Sequence, residues 1–249
     1  MKDFNRQGFL GKEFEAFMKN DKVAIIGICG GGSHIVQQLS YMGFMNLIFI
    51  DFDFLEKSNL TRMVLATEED VGELKVDIAL NKSKKINPSN SNVAIPKMWQ
   101  DATNELLNCK YIFTCLDSLE EREQIEMFCR RNNIIMIDIG MNVLESKQGD
   151  YSISGQVFVS RPKELCMKCF DFFNVKNRVG GEYGDAGPRP QVVFTNGILA
   201  SLAVNTLMKF LSETYTGNPI TYLVYDSSSD EVKRHPLLDH LNNSKCSHY

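Results

Sequence analysis

The sequence predicts an α/β fold: three layers, αβα, with a mostly parallel central sheet continued by antiparallel strands. Three observations carry this reading. Short unbroken apolar runs alternate with amphipathic segments through the first 140 residues, the pattern of strands buried on both faces. A glycine cluster joins the first run directly to a helix-like segment. After Gly140 the runs alternate in polarity, as in half-buried antiparallel strands.

The elements follow in order. Met1 to Asn20 carries Phe9, Leu10, Phe14, Phe17 and Met18 at helical spacing and reads as an N-terminal helical arm (1–20). Lys22-Val-Ala-Ile-Ile-Gly27 is a strand, a helix follows from about Ser33 to Met42, and Leu47-Ile-Phe-Ile-Asp51 is the next strand. A helix over Leu74 to Ile86 ends before Asn87-Pro88, and Val93-Ala-Ile is a short strand. Tyr111-Ile-Phe-Thr-Cys-Leu116 and Ile134-Ile-Met-Ile-Asp138 flank a helix from Leu119 to Arg131. Gly155-Gln-Val-Phe-Val-Ser160 and Ile220-Thr-Tyr-Leu-Val-Tyr225 are the later strands. Between them lie a crossover loop (170–191), whose glycine-rich Asn177 to Pro190 stretch reads as mobile, and a helix from Val192 to Ser212. That helix is apolar on nearly every side, so it is central or shared with a second subunit. Residues 226–249 form a polar, weakly patterned tail.

With 249 residues and 43% apolar content, one hydrophobic core serves the whole chain, a single domain over 1–249. No run of 18 residues lacks a charged or strongly polar group, and the N-terminus has no signal-peptide texture, so a cytoplasmic protein without a membrane span is expected. A formal net charge of -4 disfavours general nucleic-acid binding.

Chemistry concentrates at the strand ends. Gly27-Ile-Cys-Gly-Gly-Gly-Ser33 opens a helix after a strand, where Gly27, Gly30, Gly31 and Gly32 let a phosphate approach backbone N–H groups; the alternative is a tight structural turn. This makes the fold Rossmann-like. Asp51 lies about 20 residues on, where a carboxylate can accept from a ribose. Cys29 stands where a dinucleotide fingerprint has its middle glycine, and the run from Asp51 through Asp53 and Asn59 to Arg62 is too polar for a nicotinamide pocket. It suits a triphosphate.

These residues resemble, in order, the ATP-dependent activating enzymes of the ThiF, MoeB and HesA type, whose fold is also the adenylation core of ubiquitin-activating enzymes. The resemblance runs through Asn5-Arg6-Gln7, the glycine loop, Asp51, Asp53, Ser58-Asn59-Leu60 with Arg62, and Gly72-Glu-Leu-Lys75 with Asn87-Pro88. It continues through Cys115-Leu-Asp117-Ser with Arg122, then Cys166-Met-Lys-Cys169 and the helix after Pro190. It implies an ATP-dependent adenylyltransferase that activates a carboxylate as an acyl adenylate. The implied acceptor is the C-terminal glycine of a ubiquitin-like or sulfur-carrier protein. A small-molecule or tRNA-nucleoside carboxylate, or a non-catalytic partner role, is the alternative. It further implies that Asp51 holds the ribose, that Asn59, Arg62 and Lys75 bind phosphates, and that Asp117 holds Mg2+. Arg6 would reach the ATP site of the other subunit of a homodimer. Read without the resemblance, Asp117 could instead cap the next helix, with Glu120 completing a capping box.

Cys166-x-x-Cys169 has the spacing of half a zinc site. Cys246 and His248 would close it, although their spacing is tight and His235 and His240 compete as ligands. A metal-free packed relic and a redox pair remain open readings. Residues 170–191 contain no cysteine where thioester-forming relatives carry one, so no covalent enzyme intermediate is expected. Cys29 is the exception to watch, because a thiol at a helix N-terminus can become reactive.

Overall fold

The computed structural model describes residues 5–145, 148–173, 190–215, 217–241 and 245–249. Among the described residues, eight strands form one sheet in the order β3-β2-β1-β4-β5-β6-β7-β8. They are β1 (Lys22–Ile26), β2 (Leu47–Ile50), β3 (Val93–Ile95), β4 (Cys109–Thr114), β5 (Ile135–Glu145), β6 (Tyr151–Ser160), β7 (Tyr222–Asp226) and β8 (Glu231–Arg234). The first five are parallel, and β6, β7 and β8 add antiparallel pairs. The helices are α1 (Gly11–Asn20), α2 (Gly30–Met42), α3 (Lys75–Ile86), α4 (Thr103–Leu106), α5 (Leu119–Arg131), α6 (Val193–Leu211) and α7 (Leu237–His240).

Two cores sandwich the sheet. Phe14 and Phe17 of α1, Ile35 and Leu39 of α2, Val76 and Ala79 of α3, and Leu199, Ala203 and Leu207 of α6 pack on one face. Leu106 of α4, Ile125 and Cys129 of α5, Phe170 and Phe172 pack on the other. The alternating strands and helices of the sequence thus place helices on both faces, as right-handed βαβ crossovers require.

Four local expectations change. The N-terminal arm is a 3-10 helix (Asn5–Leu10) followed by α1, whose buried Phe14, Phe17 and Met18 make it part of the core. The strand expected over Ile134 to Asp138 runs on to Glu145, and its partner begins at Tyr151 instead of Gly155, because ten cross-strand pairs carry the hairpin out into solvent. Its outer half exposes Tyr151 and Ser152, so no apolar run marked it. The polar tail contains β8 and α7; β8 is an exposed edge strand, with no buried face to imprint a pattern. Most of the expected crossover loop, residues 174–189, lies outside the described residues. The helix α6 has the length and apolarity of a membrane-crossing segment, but Leu199, Ala203, Val204, Leu207 and Met208 are buried in the core, Ile198, Leu202 and Phe210 are half-buried, and Val193 and Phe194 remain exposed at its start.

Candidate active site

A cleft of about 730 Å³ opens along the carboxyl ends of β1, β2, β4 and β5, where the strand order reverses between β1 and β4. The glycine loop forms its floor. Gly27 adopts φ +86°, and a Cβ there would come within 2.6 Å of the Cys115 carbonyl oxygen, so the turn needs glycine twice over. Gly30 and Gly31 line the cleft. Gly32 does not line the cleft: a Cβ there would meet the Gly27 oxygen at 1.8 Å, so this glycine lets α2 pack onto the turn. The helix α2 begins at Gly30, three residues earlier than its apolar pattern suggested, which brings its first-turn N–H groups to the cleft.

Asp51 is tied to this loop. Its Oδ2 accepts from the Ile28 N–H at 2.7 Å, and Oδ1 accepts from the Asp53 N–H at 2.9 Å. Burial raises its pKa, opposed by those N–H groups and by Lys75. Two accepted bonds leave lone pairs on the carboxylate for a ribose.

The segment after β2 folds back on itself: the Lys75 N–H donates to the Asp53 carbonyl, and the Gly72 N–H donates to that of Leu55. This return puts Lys75, 6% exposed, against Asp53, with Nζ to Oδ2 at 2.7 Å. Burial works to lower the Lys75 pKa, but the Asp53 hydrogen bond and the carboxylate charge of Asp51 outweigh it, and the value is raised. Lys75 therefore stays cationic in a nearly dry position. Asn59 is buried and caps the 3-10 helix Lys57–Thr61 jointly with Glu56. Arg62 closes that helix, donating from Nη1 to the Ser58 carbonyl at 2.9 Å, while its Nε is buried without a partner among the described residues. Both residues line the cleft.

Asp117 lies just past β4, exposed, with its Oδ1 accepting from Gln191 Nε2 at 3.4 Å. The expected capping role is corrected. Ser118 is the N-cap of α5, accepting from the Glu121 N–H, so neither Asp117 nor Glu120 is needed there. An exposed carboxylate facing a phosphate-sized cleft fits Mg2+, which takes one or two carboxylates and fills its remaining positions with phosphate and water.

Cys29 is not activated. Burial raises its pKa above the usual thiol value, with Arg62 and Lys75 pulling only partly the other way. Desolvation defeats the helix N-terminus that would otherwise favour the thiolate.

On the other side of the molecule, Cys166, Cys169, Cys246 and His248 converge, their ligand atoms all within 4.8 Å of one another. The sulfurs of Cys166 and Cys169 are 3.6 Å apart, and His248 Nδ1 is 3.5 Å from each. Zinc bonds of about 2.3 Å to sulfur and about 2.0 Å to nitrogen, at tetrahedral angles, require ligand separations of about 3.8 and about 3.5 Å. The donor set fits zinc. His235 is excluded as a competitor because its ring stacks on Tyr222 at 4.2 Å and its Nδ1 accepts from the Leu237 N–H. His240 ends α7 outside the cluster.

The pattern that defines the ThiF family matches residues 4–248. The chain belongs to the ThiF family. It is 26% identical over 246 residues to the molybdopterin-synthase adenylyltransferase of Salmonella typhimurium, covering 94% of this chain and 92% of that protein. It is also 26% identical over 238 residues to ubiquitin-like modifier-activating enzyme 5 of Drosophila mojavensis, covering 88% of this chain and 56% of that one. The fold matches the structure of E. coli MccB with ATP at a TM-score of 0.74 and 21% identity, over 93% of this chain and 70% of that one.

In this ThiF family member the cleft gathers Gly27, Gly30, Gly31, Asp51, Asp53, Asn59, Arg62, Lys75 and Asp117 from the residues singled out in the sequence. Arg6 is not among them; it sits exposed on the first 3-10 helix. Sequence reasoning missed a buried network beneath the cleft. Arg122 donates from Nη1 to Asp138 Oδ2 at 2.8 Å and from Nε to the Leu116 carbonyl at 2.7 Å, while Thr114 donates to Asp138 Oδ1 at 2.7 Å. Asp138 closes an apolar strand run, and that position was the available signal. Gln156, Gln191 and Asn196 also line the cleft, and nothing in their sequence setting marks them.

Proposed function

We propose that this protein uses MgATP to adenylate a carboxylate, most plainly the C-terminal carboxylate of a small protein of the ubiquitin-like or sulfur-carrier type. The carrying observation is the convergence of Lys75, Arg62, Asn59 and Asp117 on one cleft at the N-terminus of α2, with Asp51 at its edge. Asp51 accepts from the ribose hydroxyls. Cationic Lys75, Arg62 and the α2 N–H groups hold the phosphates and take up the charge that builds as pyrophosphate leaves. Asp117 holds Mg2+, which neutralises phosphate oxygens when bound. The acceptor carboxylate supplies the nucleophile and attacks the α-phosphorus; the C–O–P anhydride forms as the bond to pyrophosphate breaks. Alignment and charge carry the step, with no enzyme nucleophile. The activities named for the molybdopterin-synthase adenylyltransferase and the ubiquitin-like modifier-activating enzyme support this reading. With a competent acceptor, labelled pyrophosphate should exchange into ATP in a Mg2+-dependent reaction. Asp117→Ala should lose most of that exchange while keeping its fold; full exchange in the variant would remove Asp117 from the mechanism.

The reading extends to a homodimer. Arg6 stands outside its own cleft, and Phe9 (65% exposed) and Phe194 (53%) offer apolar surface for a second copy to cover. Mixed dimers of Arg6→Ala and Asp117→Ala subunits should regain part of the activity if Arg6 acts in trans; no recovery in verified mixed dimers would confine Arg6 to its own subunit or to no role. Zinc held by Cys166, Cys169, Cys246 and His248 would tie residues 245–249 to the body of the fold. Thiolate ligation suits a reducing compartment, in keeping with a cytoplasmic location.

A further inference from the structure

The cleft continues past Asp117 onto β5 and β6. Strands lie about 4.8 Å apart, so β6, three strands from β1, is about 14 Å from the glycine loop. Ribose and phosphates are accounted for by β2, β1 and α2; the β5–β6 end is left for the acceptor.

That end is lined by Gly140, Asn142 and Gln156. Gly140 pairs directly with Gln156 in the antiparallel register, and Asn142 follows two residues on, so all three share one face of the sheet. A Cβ at Gly140 would fall 2.7 Å from Gln156 Nε2 and within 2.7 Å of both Arg122 Nη atoms, so glycine lets the amide and the guanidinium lie flat on the strand. Arg122 is already engaged by Asp138, Leu116 and Ile139. Gln156 is not engaged: it is 8% exposed, and its side chain has no hydrogen-bond partner among the described residues. Asn142, half-buried beside it, also has none.

Gln156 is largely covered but its amide opens into the cleft, so with no protein partner it is available to a ligand there, and a ligand that covered it without pairing would incur a cost of about 1–3 kcal/mol. A side-chain amide offers one donor group and one acceptor, which a peptide unit matches with its C=O and N–H. A plain alkyl carboxylate offers nothing at that position and leaves the amide unpaired. We propose that Gln156 and Asn142 form a subsite that hydrogen-bonds the acceptor's last peptide unit, selecting a peptide-bearing carboxylate over a simple aliphatic acid. This assignment rests on the adenylation reading and adds to it the residues that read the acceptor.

Two stable mimics of the acyl adenylate test it without knowledge of the natural acceptor. One is adenosine carrying acetylglycylglycyl on a 5′-sulfamoyl linker, and the other is its octanoyl counterpart of equal chain length. Calorimetry on the full chain should give the peptide mimic an advantage of at least about tenfold in Kd, the value of one well-made buried hydrogen bond. Gln156→Met should erase that advantage, weakening the peptide mimic while the octanoyl mimic, which leaves the wild-type amide unpaired, binds at least as tightly as before. Equal wild-type affinities, or a preference that survives in Gln156→Met, would overturn the subsite and leave adenylation standing. Failure of both mimics to bind wild type would instead refute the adenylation reading and the subsite with it. Should Gln156→Met bind neither mimic because it misfolds, Asn142→Leu decides at a half-buried position: reduced preference supports the subsite, and unchanged preference overturns it.

Discussion

Replacing Lys75 with methionine should separate chemistry from folding. The Lys75 stem is buried and its ammonium meets Asp53 at 2.7 Å, but the Asp53 side chain is 50% exposed. Water screens such a half-exposed pair, so its share of stability is about 1 kcal/mol or less. Methionine fills the space of the aliphatic stem, and the urea midpoint should barely move. The catalytic loss should be far larger. A preorganised cation facing charge that develops in a nearly dry cleft is worth about 3–4 kcal/mol of barrier, which is about 100-fold to 1,000-fold in kcat. Pyrophosphate exchange at saturating MgATP and acceptor, run beside urea denaturation, measures both. The sign with pH also follows. Because the folded pKa of Lys75 is raised above 10.5, the stability it contributes is fully present below that value and lost only as pH rises through the folded value. The stability difference between wild type and Lys75→Met should therefore stay flat across neutral pH. An activity loss under about fivefold would refute the phosphate role. A stability loss of several kcal/mol would instead show Lys75 to be structural.

Asp138→Ala should behave in the opposite way: it strands the Arg122 guanidinium in a site where Asp138 is 0% exposed, and should cost about 3–5 kcal/mol in urea denaturation. Stability close to wild type would show that Arg122 finds another partner. Untagged protein should hold about one zinc per chain by elemental analysis. Cys246→Ser should lower both zinc content and Tm; a metal-free protein purified without chelator would leave the cluster as packed thiols. Intact-mass analysis after incubation with MgATP and acceptor should find unmodified enzyme, since Cys29 is held as a thiol and the Cys115 pKa is raised well above the ordinary value by burial. A thiol-labile adduct removed by any single cysteine substitution would place the protein among thioester formers.

The parallel half of the sheet was legible because both faces of those strands are covered, which forces unbroken apolar runs such as Val23 to Ile26 and Leu47 to Ile50. The glycine loop and Asp51 stood out by their places after strands, whereas Arg62, Lys75 and Asp117 were singled out by the family resemblance; the structure lines one cleft with Gly27, Gly30, Gly31, Asp51, Arg62, Lys75 and Asp117. The edge strand β8 was not legible, since its four residues are all exposed. Gln156 and Asn142 were hidden for a different reason. An amide in an alternating strand looks like any solvent-facing polar residue, and only the register that sets Gln156 opposite Gly140 turns it toward the cleft. The roles of Cys29 and Ser118 likewise needed burial and cap geometry, which spacing does not encode.

Attack at the α-phosphorus of ATP is read from the nucleotide products. Small proteins ending in Gly-Gly would be incubated singly with enzyme and MgATP, and the nucleotides resolved by ion-exchange chromatography. A competent acceptor should yield pyrophosphate in equal amount to acceptor carrying AMP on its terminal carboxylate, which mild base releases as free AMP. Production of ADP and phosphate instead would place the reaction at the γ-phosphorus and contradict attack at the α-phosphorus.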